Sequence, residues 1–161
     1  MKIIQFSGPV SPVKLDSLVV PEIIQNGTRD FVVLDCPYEL GPGERDGIVL
    51  KWYLNSKTVP IYQWIPPSHP QGLGSMRYKI GETLPSPSPS LSCISSPDLD
   101  YEVSPDPYKR HRALYISQPG VEMSGEYTCK VSTLDNEVSA TSTMVIYTPP
   151  RYRVQIQLAL L

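Results

Sequence analysis

The feature that most narrows what this chain can fold into is the order Cys36, Trp52, Tyr127 and Cys129, with the tryptophan sixteen positions after the first cysteine and the second cysteine two after the tyrosine. Side chains alternate across a strand, so apolar residues at every second position mark the face turned to a core. Residues 31–36 place Val32, Leu34 and Cys36 on one face, and residues 48–54 do the same for Ile48, Leu50, Trp52 and Leu54. Around the second cysteine, Tyr127, Cys129 and Val131 share a face, and Leu114 and Ile116 share one in residues 113–116. Strands with one apolar face each stack as two layers. No helical apolar period competes with them, and 18 prolines and 10 glycines favour short strands and frequent turns.

The spacing is that of an immunoglobulin sandwich, in which the two cysteines link the sheets and the tryptophan packs on the bridge. The predicted fold is therefore all-β, a variable-type immunoglobulin β-sandwich with a Cys36–Cys129 disulfide and a core around Leu50, Trp52, Leu114 and Tyr127. Tyr127 fits the corner tyrosine of that fold, with Ser124-Gly125 as the turn before it. The expected domain runs over residues 18–147, behind a flexible lead-in at 1–17 and before a tail at 148–161. Residues 18–23 read as a first edge strand, where Pro21 is tolerated because an edge amide need not join the ladder. Residues 76–80 read as a further short strand. Residues 81–97 carry the repeat Pro85-Ser86-Pro87-Ser88-Pro89 and are expected to loop out as a disordered Ser/Pro-rich insertion around Cys93. Without them the domain is close to the ~100 residues such a fold needs.

Function classes narrow quickly. A net charge of −2 without a clustered basic face argues against nucleic acid. The cysteines are far from one another and from His69 and His111, so no metal or cofactor site is expected. Neither a Gly-x-Ser-x-Gly nor a His-Glu-x-x-His motif is present, which leaves no case for an enzyme. A disulfide implies an oxidising compartment, hence an extracellular or cell-surface location, although no apolar run of signal-peptide or membrane-span size is visible. Asn26-Gly27-Thr28 is both a turn signal and an N-glycosylation acceptor. Residues 108–112, Tyr-Lys-Arg-His-Arg, form a short basic run that suits either a solvated edge or the steering of an acidic partner. Residues 154–158 alternate but lie outside the sandwich.

Protein partners remain, and the candidate surface is the outer face of the larger sheet. Lys51 and Tyr53 lie opposite the core-facing residues of their strand, and Thr128 and Lys130 do so beside Cys129. Tyr62 and Trp64 in the next strand add aromatic side chains of the kind enriched in binding hot spots, unless Trp64 merely covers a sheet edge. Lys51, Tyr53, Tyr62, Trp64 and Lys130 are thus the predicted partner-binding set.

Four stretches, Asp35-Cys36-Pro37-Tyr38-Glu39-Leu40, Val49-Leu50-Lys51-Trp52-Tyr53, Tyr62-Gln63-Trp64-Ile65-Pro66 and Ser124-Gly125-Glu126-Tyr127-Thr128-Cys129-Lys130-Val131-Ser132, resemble the amino-terminal variable-type domain of the beaten path proteins of arthropods. The resemblance implies a secreted or membrane-attached neuronal recognition module that binds sidestep-like immunoglobulin receptors and acts in axon guidance or synaptic partner matching. Met123 departs from the acidic residue that many variable-type domains carry there, and Gln63 stands where the resemblance implies a basic residue. Homophilic adhesion, soluble immune-type binding and a spacer role in a longer receptor are the competing expectations.

Overall fold

The computed structural model describes residues 12–56, 58–73 and 97–150. In chain order the strands are β1 (Lys14–Leu15), β2 (Ile23–Gln25), β3 (Phe31–Leu34), β4 (Tyr38–Glu39), β5 (Val49–Leu54) and β6 (Tyr62–Trp64). Then come β7 (Gln71–Gly72), β8 (Pro97–Asp98), β9 (Leu114–Ser117), β10 (Gly125–Ser132) and β11 (Glu137–Tyr147). The front sheet has the order β2-β11-β10-β5-β6-β7, and the back layer holds β3-β9-β8 with the β1-β4 pair. Carrying β6 and β7 beyond β5 in the front sheet is the variable-type arrangement.

The alternation of the sequence is realised as burial. Val32, Leu34, Leu114 and Ile116 of the back layer meet Leu50, Trp52, Tyr127, Val131 and Met144 of the front sheet, all buried. Cys36 and Cys129 are bonded across the layers with Cα atoms 6.3 Å apart. Their sequence separation of 93 places the loop-closure stabilisation at about 4.7 kcal/mol in the chain-entropy model, near the whole net stability of a small domain. The Tyr127 hydroxyl donates to the Met123 carbonyl at 2.6 Å, closing the tyrosine corner. Met123 ends a 3-10 turn (Val121–Met123) and is itself buried, so an apolar plug occupies the position where an acidic residue is common. At Gly125 the backbone has φ +152° and an added Cβ would run into the Asn55 side chain, whose Oδ1 accepts the Glu126 N–H at 2.9 Å.

Three expectations are corrected. The end of the lead-in is ordered, because β1 pairs with β4 and Val13 is buried against the core. The first edge strand is not continuous over 18–23. Val19 bridges to Asp35 in the back layer, whereas β2 runs parallel to β11 in the front sheet. Pro21 sits at the crossing, where its missing N–H breaks the ladder between the two layers. Pro97, assigned to the insertion, instead opens β8 and pairs with Ile116. The rest of the insertion, the strand expected at 76–80, Cys93, and the alternating tail at 154–158 lie outside the described residues.

Candidate recognition face

The outer face of the front sheet is fixed by strand register. Lys130 is the cross-strand partner of Lys51 on one side and of Ser139 on the other, and Lys51 in turn partners Gln63. One step along, Tyr53, Thr128 and Thr141 form a second row. The two rows enclose a shallow depression of about 150 Å³ lined by Tyr53, Thr128, Lys130, Ser139 and Thr141. Four of these five residues carry hydroxyls, and the Thr128 and Thr141 Oγ1 atoms lie 2.8 Å apart. Tyr53 is 5% exposed, so it makes the floor and not a projecting anchor.

Charge on this face is uneven. Lys130 Nζ pairs with Glu137 Oε1 at 2.8 Å, and the Ser132 hydroxyl donates to the other oxygen at 2.9 Å. The hydrogen bond to Glu137 raises the Lys130 ammonium above its ordinary pKa, and Lys130 in turn holds Glu137 below the usual carboxylate value. Lys51 makes no ion pair of its own among the described residues, although Glu137 feels its charge. Two like charges directly opposite each other destabilise a strand pair, and the Glu137 carboxylate is bonded to only one of them.

Of the predicted set, Lys51, Tyr53 and Lys130 come together on this face. Tyr62 and Trp64 do not. Trp52 is the register partner of Tyr62, and Leu50 of Trp64, so both aromatic rings share the inward face of those core residues. They are 2% and 1% exposed. Trp64 donates its indole N–H to the Ser68 carbonyl at 3.0 Å and meets the His111 ring edge-on, while the Tyr62 hydroxyl donates to the His111 carbonyl at 2.7 Å. Neither is a surface anchor. Gln63, between them, is the outward residue of β6.

The basic run is also absorbed by the fold. Lys109 pairs with Glu39 at 2.7 Å, Arg112 makes a two-pronged contact with Asp35 at 2.9 and 3.0 Å, and Arg110 approaches Glu102 at 3.7 Å. Glu44, in the loop before β5, was not singled out by sequence because a lone acid in a polar loop carries no pattern. Its carboxylate accepts from the Gly41 N–H (2.8 Å), Asn136 Nδ2 (2.8 Å) and the Thr133 hydroxyl (3.3 Å), tying that loop to the β10–β11 connection. Burial works to raise its pKa, but the backbone and side-chain donors around it outweigh burial and lower it. Asn26 is exposed in a turn where Gly27 has φ +77°. No group of three His, Cys, Asp or Glu side chains among the described residues can hold a metal ion.

The chain is similar to the human B7-H4 IgV-like domain, with 13% identity, 86% of this chain and 96% of that one covered, and a TM-score of 0.50. It is equally similar to a chain of the Dpr2 Ig1-Ig2 complex with DIP-Theta Ig1-Ig3, at 13% identity, 84% and 34% coverage and a TM-score of 0.50. The titin I67-I69 fragment variant aligns at 16% identity, 89% and 36% coverage and a TM-score of 0.49. This chain spans about a third of the titin I67-I69 and Drosophila OTK chains that it matches. The likeness to the B7-H4 and Dpr2–DIP-Theta chains, at 13% identity, establishes the immunoglobulin-like fold alone. No protein-family model matches the sequence, and neither does any curated protein.

Proposed function

We propose that the domain is an extracellular or cell-surface recognition module that binds another immunoglobulin-type ectodomain through the outer face of the front sheet. The observation that carries this reading is the opposed Lys51–Lys130 pair beside a shallow depression, with Glu137 ion-paired to Lys130 and Lys51 left without an ion pair of its own among the described residues. A partner carboxylate placed there relieves the repulsion, which makes charge complementarity part of partner choice. The disulfide supports a location outside the reducing cytosol. Taken with the resemblance to the beaten path family, the reading extends to a sidestep-like receptor and to axon guidance or synaptic partner matching. It is a reading of a binder, because function is argued from a site and the site here offers complementarity, not a reacting group.

The test is binding of the full chain to an array of immunoglobulin-type ectodomains that includes sidestep-like receptors and the chain itself. Lys51→Glu and Lys130→Glu should each weaken a genuine hit about tenfold or more, and the wild-type interaction should weaken with added salt. Arg29→Glu, an equal charge change at an exposed loop position, serves as the control. A hit indifferent to both lysine variants refutes the assignment of the face. Homophilic adhesion is the second reading, favoured by the presence of Glu126 and Glu137 on the same face as the lysines, which allows a two-fold, self-complementary contact. Binding to itself and to nothing else would replace the heterophilic reading with that one.

A further inference from the structure

The outer face of β11 changes character along its length. Glu137, Ser139, Thr141 and Thr143 are polar and exposed, but Val145 (45% exposed) and Tyr147 (43%) follow at the far end. There β11 meets β2, and Ile23, 66% exposed, is the register partner of Val145, as Gln25 is of Tyr147. The result is an apolar strip of Ile23, Val145 and Tyr147 on the outermost strand pair of the front sheet. β2 is the edge of that sheet among the described residues. An apolar edge of this kind invites pairing with another chain, and sheet proteins cover or blunt such edges.

The acceptor Asn26-Gly27-Thr28 begins one residue after β2 ends. The Asn26 N–H donates to the Tyr147 carbonyl at 2.8 Å, and its side-chain Nδ2 lies 3.4 Å from Thr148 Oγ1, so the side chain leans toward the end of β11. Both Asn26 and Thr28 are exposed. We infer that an N-linked glycan on Asn26 covers the Ile23–Val145–Tyr147 strip and keeps the β2 edge from pairing with a second copy. The transfer uses a lipid-diphosphate-linked oligosaccharide of the secretory route. The Asn26 amide nitrogen bonds to the anomeric carbon and loses a proton, while the bond from that carbon to the diphosphate oxygen breaks and the lipid diphosphate leaves. A bulky hydrated group at this point solubilises the apolar strip, at the opposite end of β11 from Ser139, the register partner of Lys130.

The experiment expresses the full chain through a eukaryotic secretory route, measures its intact mass before and after enzymatic deglycosylation of the folded protein, and follows self-association by analytical ultracentrifugation. A mass loss of one N-glycan that is absent in Thr28→Ala, together with a shift from monomer to dimer or larger species once the glycan is gone, is the expected result. Threonine keeps strand preference while adding polarity, so Ile23→Thr with Val145→Thr in the Thr28→Ala chain should restore the monomer. No mass change overturns the proposal. So does an unchanged monomer after deglycosylation, or self-association that the threonine pair fails to reverse. None of these readouts uses a second receptor, and the threonine pair separates association through the β2 edge from self-association through the recognition face.

Discussion

Trp64→Ala separates two placements of an aromatic residue that sequence alone presents as equivalent. In the structure the ring is 1% exposed, lies across from Leu50, meets His111 edge-on and donates to the Ser68 carbonyl. Truncating a buried tryptophan to alanine costs ~3–5 kcal/mol through lost transfer energy and the cavity left behind. Against a net stability of roughly 5–15 kcal/mol this is a large share, corresponding to a Tm lower by roughly 10 °C. Trp64→Phe retains most of the ring and loses the indole donor, for about 1 kcal/mol from the hydrogen bond in addition to the smaller ring volume. Gln63→Ala, one position away on the outer face, should stay within ~0.5 kcal/mol. Urea unfolding followed by far-UV circular dichroism gives all three values without relying on the fluorescence of the residue being changed. A near-neutral Trp64→Ala, or a Gln63→Ala as damaging as it, would mean that β6 is paired in the opposite register. The same numbers disqualify Trp64→Ala as a binding control, because lost binding would report lost folding.

Arg112→Lys keeps the charge facing Asp35 but loses the two-pronged geometry. With both side chains 18% exposed the pair sits between the surface and buried limits, so a loss of about 1–3 kcal/mol is expected, and a double-mutant cycle with Asp35→Asn should return most of it as coupling. The Glu44 prediction concerns acid. Its pKa is lowered in the folded state, so its stabilisation is fully present above the ordinary carboxylate value of 4.5 and is lost as pH falls through the folded value. Urea midpoints measured from pH 7 downward should therefore fall less steeply below that value in Glu44→Gln than in the wild type, and parallel profiles would refute the role given to Glu44.

The sandwich, its bridge and the tyrosine corner were legible because each rests on a local pattern with period two: Val32, Leu34 and Cys36, or Tyr127, Cys129 and Val131. The same rule, applied to β6, would have turned Tyr62 and Trp64 inward once β6 was put in register with β5. That register is a property of two strands, and a short strand such as Tyr62-Gln63-Trp64 does not announce it. The opposed lysines were visible singly, not as a pair, for the same reason. Glu44 was out of reach because its partners Thr133 and Asn136 lie in a connection 89 and 92 positions away.

The basic run was legible as charge and misleading as surface. Three ring donors aim at the backbone of residues 108–112: Tyr38 at the Tyr108 carbonyl, Tyr62 at that of His111 and Trp52 at that of Arg112. Burial raises the pKa of the Tyr38 and Tyr62 hydroxyls, which keeps them protonated as donors. A backbone held by buried groups from β4, β5 and β6 cannot swing out to meet a ligand, and its cations are turned to Glu39, Glu102 and Asp35. Local pairing of that kind leaves little field for a partner to feel beyond a Debye length of about 8–10 Å. Lys51 differs because it has no ion pair of its own among the described residues and the carboxylate that feels its charge, Glu137, is already bonded to Lys130. Among the described residues, the basic run that is dense in sequence is tied into the fold, and the Lys51–Lys130 pair, assembled only by strand register, is the one we propose for recognition.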